Sequence, residues 1–152
     1  MRALRALWRA SIWHPEAVPP YEGEIASDVK RGLLPVFDVV LIATAVLALR
    51  GGMPTFAIVY GDAVSDAASW ALLVVAATCL VGVAFPRLWL VETIAKTALL
   101  LLLSGYGAVL ILSAALADPA RGFVGGVTLA ASLIPVWRLV WLGRDYRRRK
   151  AT

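Results

Sequence analysis

Four ionisable side chains, Asp38, Glu92, Lys96 and Arg138, fall inside stretches otherwise built of Leu, Val, Ala and Ile. Charge in an apolar run is costly to insert and by default marks a site. Two kinds of work fit these residue types: relaying a proton or ion, or clamping helices together by opposite charge. Glu92 and Lys96 stand at i, i+4 with the acid first, the favourable order for a pair on one helix face. Asp38 is expected to meet Lys96 or Arg138 from a neighbouring helix, which makes a layer of two acids and two bases with no net charge. The clamp is the favoured reading. A neutralised cluster sets how helices register against one another, and long basic side chains near a helix end can extend to the interface. A transport site would keep one acid unpaired at mid-depth.

Other chemistry lacks residues to carry it. The chain has no Gly-rich phosphate loop, no HExxH, no GxSxG and no serine, histidine and acid set. The single cysteine, Cys79, lies within an apolar run and reads as a buried thiol. The single histidine, His14, stands beside Pro15 with no partner ligands and reads as solvated. The expectation is therefore no catalytic residue, no metal site, no cofactor, no enzyme activity and no identified small-molecule substrate.

The elements that position the four charges announce themselves by length. Leu33–Leu49, Trp70–Phe85, Leu88–Ala117 and Phe123–Leu142 are too apolar for a surface in water, in a chain of 152 residues that is 61% hydrophobic. A membrane-crossing helix needs about 20 mostly apolar residues at about 1.5 Å each. The expected fold is all-α, an integral membrane four-helix bundle with a short amphipathic interfacial helix at the N-terminus. Residues 1–32 form an N-terminal segment, 33–143 the four-helix domain and 144–152 a basic tail. Over MRALRALWRASIW the bases Arg2, Arg5 and Arg9 cluster on one side of a helical wheel, and Leu4, Leu7 and Trp8 on the other. This helix reads as a topology anchor. His14-Pro15 and Pro19-Pro20 break it, and Ser27 or Asp28 is placed to cap the first crossing helix.

Orientation follows from the bases. Arg2, Arg5, Arg9, Lys30 and Arg31 precede the first run, and Arg144, Arg147, Arg148, Arg149 and Lys150 follow the last. Basic flanks stay on the cytoplasmic side, so both termini are expected there, in the bacterial cytoplasmic membrane. Asp38, Glu92, Lys96 and Arg138 then share the cytoplasmic half, roughly 7–12 Å deep for Asp38, Lys96 and Arg138 at 1.5 Å per residue. Trp8, Trp137 and Trp141, with Arg2, Arg5, Arg9, Arg147, Arg148 and Arg149, are the expected interfacial anchors. The partners implied are membrane lipid and either further copies or other membrane subunits. The tail RDYRRRK is better matched to anionic lipid than to nucleic acid, which is not an expected partner.

Packing cues are small residues at helical spacing: Thr78/Gly82, Ser104/Ala108, Gly126/Ala130 and Thr128/Ser132. Pro135 should kink the last helix or free a carbonyl near Ala131. Pro54–Gly61 is too short to cross, and either lies in the interface or dips in and returns. The runs GGMPTFAIVYGDA, LVGVAFPRLWLVETIAK and PVWRL with its basic tail resemble the small four-pass membrane proteins of phages of high-GC actinobacteria, grouped with the holin-like proteins of lysis cassettes. The resemblance spans roughly residues 30–150 and carries no catalytic motif. It implies a protein that self-associates and permeabilises the cytoplasmic membrane during host lysis. The alternatives are a structural or accessory subunit of a larger membrane complex, and a small ion- or proton-coupled transporter built around Asp38 and Lys96. In a Cys79→Ser background, Asp62→Cys and Asp118→Cys are both expected to react with an impermeant thiol reagent added outside intact cells. Labelling of either only after permeabilisation would overturn the topology.

Overall fold

The computed structural model describes residues 8–14, 28–116 and 119–151, and at 145, 146 and 148–151 the backbone alone. Its elements are helical throughout. A π-helical turn, Val29–Leu33, leads into α1 (Leu34–Gly51); α2 (Pro54–Tyr60) is short; α3 (Asp62–Ala84) follows; a 3-10 turn, Pro86–Leu88, opens α4 (Trp89–Leu116); and α5 (Ala120–Ala151) closes the chain. Four segments have the length and apolarity to cross a membrane: Val29–Gly51, Asp62–Ala84, Pro86–Leu116 and Ala120–Arg144. The chain is thus a multi-pass membrane protein. Each segment begins before the apolar stretch that marks it. The largest extension is at α3, which begins at Asp62 instead of Trp70, because Ser65 and Ser69 are polar yet buried on its inner face.

Long helices joined by short turns must run antiparallel, and here α1 packs on α3, α3 on α4 and α4 on α5, the last contact being the most extensive. The end at which α1 begins is called the base. It also holds residues 8–14, the turn after α3 and the end of α5. The centre is a dry cluster of Leu41, Ala45, Leu72, Ala76, Cys79, Ala95, Leu99 and Leu103. The leucine run of α4 faces both ways, since Leu99 is fully buried while Leu101 is 67% exposed. Large apolar side chains such as Val39, Leu47, Val74, Ile94, Leu112, Phe123 and Leu133 cover the outside. In water such a perimeter would aggregate; against lipid chains it is at rest. Hydroxyls within the crossing helices bond back to their own backbones, as Thr44 to Val40, Thr78 to Val74, Thr97 to Thr93 and Thr128 to Val124, so they present no free polar group to lipid.

At the top, opposite the base, Gly61 takes φ +88° and lets the chain turn from α2 straight into α3. Ser65 accepts a hydrogen bond from the Met53 amide at 2.7 Å, tying the start of α2 to α3. Phe56 meets Tyr106 edge-to-face at 5.0 Å, which lays α2 against α4. Pro54–Tyr60 is therefore a packed helical cap on the bundle.

The small residues that set helix separation differ in part from those the spacing suggested. A Cβ on Gly82 would fall 2.8 Å from Glu92 Cα, and one on Gly125 3.1 Å from the Ile111 amide nitrogen, so these glycines permit the α3/α4 and α4/α5 approaches. Gly107 meets the Leu129 side chain in the same way. Gly126 and Ala130 face outward instead, and nothing lies within 4 Å of a Cβ added at Gly126. Asp28 provides no side-chain cap, being already helical at the start of the π turn. Pro135 sits buried within a continuous α5. Forcing a methyl group into the α3/α4 contact by Gly82→Ala should cost about 1–3 kcal/mol of stability through overpacking. Gly126→Ala should leave the thermal unfolding midpoint in detergent unchanged.

Candidate functional site

All four intramembrane charges converge near the base. Lys96 Nζ lies 2.5 Å from Asp38 Oδ1, joining α4 to α1, and both side chains are fully buried. Arg138 meets Glu92 through two bonds, Nε to Oε1 at 2.5 Å and Nη2 to Oε2 at 2.9 Å, joining α5 to α4. The fork of a guanidinium matches a carboxylate in this two-point manner, which fixes orientation as well as distance. Glu92 and Lys96 share the inner face of α4, but each reaches to a different neighbouring helix instead of to the other. Lys96 also stands 5.9 Å from the centre of the Phe37 ring, whose face attracts a cation.

The positions of these residues have local causes. Glu92 lies in the first turn of α4, where the helix N-terminus favours an acid. Gly82 admits the backbone of Glu92, which brings its carboxylate into the bundle. Asp38 and Arg138 come into range because α1 and α5 run antiparallel to α3 and α4 respectively, and each places its charge about one to two turns inside the base. Asp38 Oδ2 is buried and accepts no hydrogen bond among the described residues. The layer is therefore neutral in charge with one acceptor unmet, so removing any member exposes the cost of burying its partner alone.

The surroundings limit what the layer can do. Above it, Leu41, Ala45, Leu72, Ala76, Leu99 and Leu103 fill the middle of the bundle with apolar side chains. Of the other buried polar side chains in the crossing helices, Ser132 on α5 turns its hydroxyl back to the Leu129 carbonyl, and Ser69 and Ser65, like Thr55 on α2, belong to the top. Among the described residues no chain of polar groups joins the two ends. Nor does any group of three or more His, Cys, Asp or Glu gather there as a metal site would require. Cys79 is buried in the apolar cluster. The layer's accessible chemistry is electrostatic: it holds α1, α4 and α5 in one register.

A second arrangement at the base escaped the reading of the sequence. Residues 8–10 are helical, and 11–14 turn away from them and dock on the bundle. The Ile12 amide donates to Ala84 O at 2.9 Å, and the Ile12 side chain is buried against Leu34 and Val83. Arg31 donates from Nε to Ile12 O and from Nη2 to His14 O, while Trp13 Nε1 donates to Arg31 O at 3.2 Å. Nothing in residue type or spacing marked this contact.

The anchors divide. Trp8 and Trp13 are largely exposed at the base. Trp137 packs on Trp141 with ring centres 5.0 Å apart, and Lys30 lies over the Trp141 ring. Arg147 is exposed on α5. Arg148 and Arg149 lie on the helical backbone of α5, which continues through the expected tail to Ala151. Arg2 and Arg5, with most of the expected N-terminal amphipathic helix, lie outside the described residues, and Arg9 falls in the short helical piece that is described. No known protein family, curated protein or solved structure matches the chain.

The pairing has an energetic signature. Lys96→Met strands the Asp38 carboxylate and should cost about 3–5 kcal/mol in thermal unfolding. Lys96→Met combined with Asp38→Leu should recover most of that loss. Equal damage from the single and double variants would show a lysine that acts independently of Asp38.

Proposed function

We propose that the protein is a membrane-embedded helical subunit whose work is association: it presents a stiff, lipid-facing bundle to partner helices and lipids, and moves no solute of its own. The carrying observation is the placement of charge. Asp38, Glu92, Lys96 and Arg138, the charges that fall within the apolar runs, are all drawn into the neutral interior layer, and large apolar side chains cover the perimeter. A conducting or transporting bundle needs a polar route, and the apolar middle interrupts one here. By the excess of bases at the base over the top, the base faces the cytoplasm and both termini lie on that side of a bacterial cytoplasmic membrane.

A second reading is the holin-like one, in which many copies gather and permeabilise the membrane during host lysis. What favours it is the resemblance in sequence together with the outward-facing Gly126 and Ala130, small residues that let helices of neighbouring copies approach. Such a lesion would be walled by outer helix faces, since the charges lie inside each bundle.

Induced expression in a bacterium, followed with a potential-sensitive dye and optical density, separates the readings. An accessory subunit leaves the potential intact at high level, and purified protein keeps liposomes tight. Abrupt collapse of potential after a delay would replace this proposal with the holin-like one. Flux of a specific ion that Asp38→Asn abolishes would replace it with a transporter.

A further inference from the structure

We propose that residues Ser11–His14 form a detachable strap that seals the base of the bundle over its charged layer, and that anionic lipid headgroups compete with the bundle for it. The inference needs the chain to lie in a membrane but is independent of whether it serves as an accessory subunit or a lytic protein. Three observations carry it.

The strap covers the layer. Ile12, Leu34 and Val83 form a small buried cluster against which Val29 and Ile134 pack. Leu34 stands one turn nearer the base than Asp38 on α1, Val83 follows the Gly82 that seats Glu92, and Ile134 stands one turn farther from the base than Arg138 on α5. Ile12 thus closes the base beside the layer, among side chains of α1, α3 and α5.

The strap is four residues long and its attachment is specific. It includes the buried Ile12 side chain, the Ile12 amide on Ala84, two bonds from the Arg31 guanidinium and one from the Trp13 indole. Ser11 bonds back to Trp8 within the strap's own turn, at 2.9 Å from Oγ to the Trp8 carbonyl.

The outer side of the same segment suits another surface. Trp8 and Trp13 are 56% and 41% exposed, and Arg9 stands between them in a segment that also carries Arg2 and Arg5. Indole rings and arginines together favour the headgroup layer, and more so when its phosphates carry net negative charge. The strap therefore has a second resting place on an anionic surface, whose phosphates compete with the Ile12 and His14 carbonyls for the Arg31 guanidinium. Undocking opens the base of the charged layer to water.

Cys79 reports this state without engineering. It is the chain's single cysteine, wholly buried, and lies about one turn before the Gly82 that seats Glu92. The full-length protein is reconstituted in phosphatidylcholine liposomes and in liposomes containing phosphatidylglycerol, and its reaction with a small cationic thiosulfonate is timed. Wild type should label slowly in phosphatidylcholine and at least about five-fold faster with phosphatidylglycerol, by analogy with a switch of about 1 kcal/mol converted at 1.4 kcal/mol per tenfold. Ile12→Ala should label fast in both lipids. Trp13→Phe, which removes one hydrogen bond and keeps the ring, should fall between and guards against a variant that fails to fold. Thr55→Ala loosens the top of the bundle and should leave labelling slow. The proposal is overturned if Ile12→Ala and Trp13→Phe label as slowly as wild type, if wild type labels equally in the two lipids, or if Thr55→Ala raises labelling as much as the strap variants do.

Discussion

Everything in this bundle is arranged around the requirement that a charge inside a membrane have an opposite charge beside it. α4 answers that requirement for two neighbours at once, offering Lys96 to Asp38 on α1 and the Glu92 carboxylate to Arg138 on α5. An unpaired charge at the centre of a crossing helix costs about 2.5–3.5 kcal/mol on insertion scales, so each pair penalises any packing that separates its members. Apolar side chains cannot do this, because lipid chains solvate leucine as well as another leucine does. The dry middle of the bundle fills space; the layer at the base decides which helices fill it and in what register.

That division explains the role of the glycines. Ion pairs at short range require close backbones, and Gly82 lets α4 approach α3 until the Glu92 backbone would touch a Cβ. Gly107 and Gly125 do the same along α4 and α5. Farther up, Ser65 and Ser69 replace charge with hydroxyl bonds that stay within the protein, one to Met53 and one to the preceding turn of α3. Buried charge therefore sits near the base and buried hydroxyls at the top, with the apolar cluster and the self-bonded Ser132 between them.

The base adds a contact of another kind. Just ahead of α1, the indole of Trp13, 18 residues upstream, donates to the Arg31 carbonyl. Arg31, in the first turn of the first crossing segment and rich in donors, returns two bonds to the same strap. A helix start that would otherwise open onto water is thereby closed by the protein's own N-terminal segment.

The crossing helices, their number and the residues of the charged layer were legible in the chain because each rests on a property local in sequence: a run of apolar residues near bilayer length, and ionisable residues within it. The extent of α3 was less so, since Ser65 and Ser69 lower the apolarity of its first turns although their hydroxyls are satisfied inside the protein. Partner choice was not legible. Asp38 had two bases in range of any plausible packing, and Glu92 and Lys96 were well spaced to pair with each other; the seating of α1 on α3 and of α5 on α4 assigned Asp38 to Lys96 and Arg138 to Glu92 instead. The same holds for Gly125 over Gly126 and for the docking of Ile12, because which face of a helix turns inward, and what a distant segment covers, depends on close contacts between elements far apart in the chain. Hydrophobicity is additive along a sequence and so determines that this protein enters a membrane. Pairing and steric fit act between elements, and tertiary structure alone decided them.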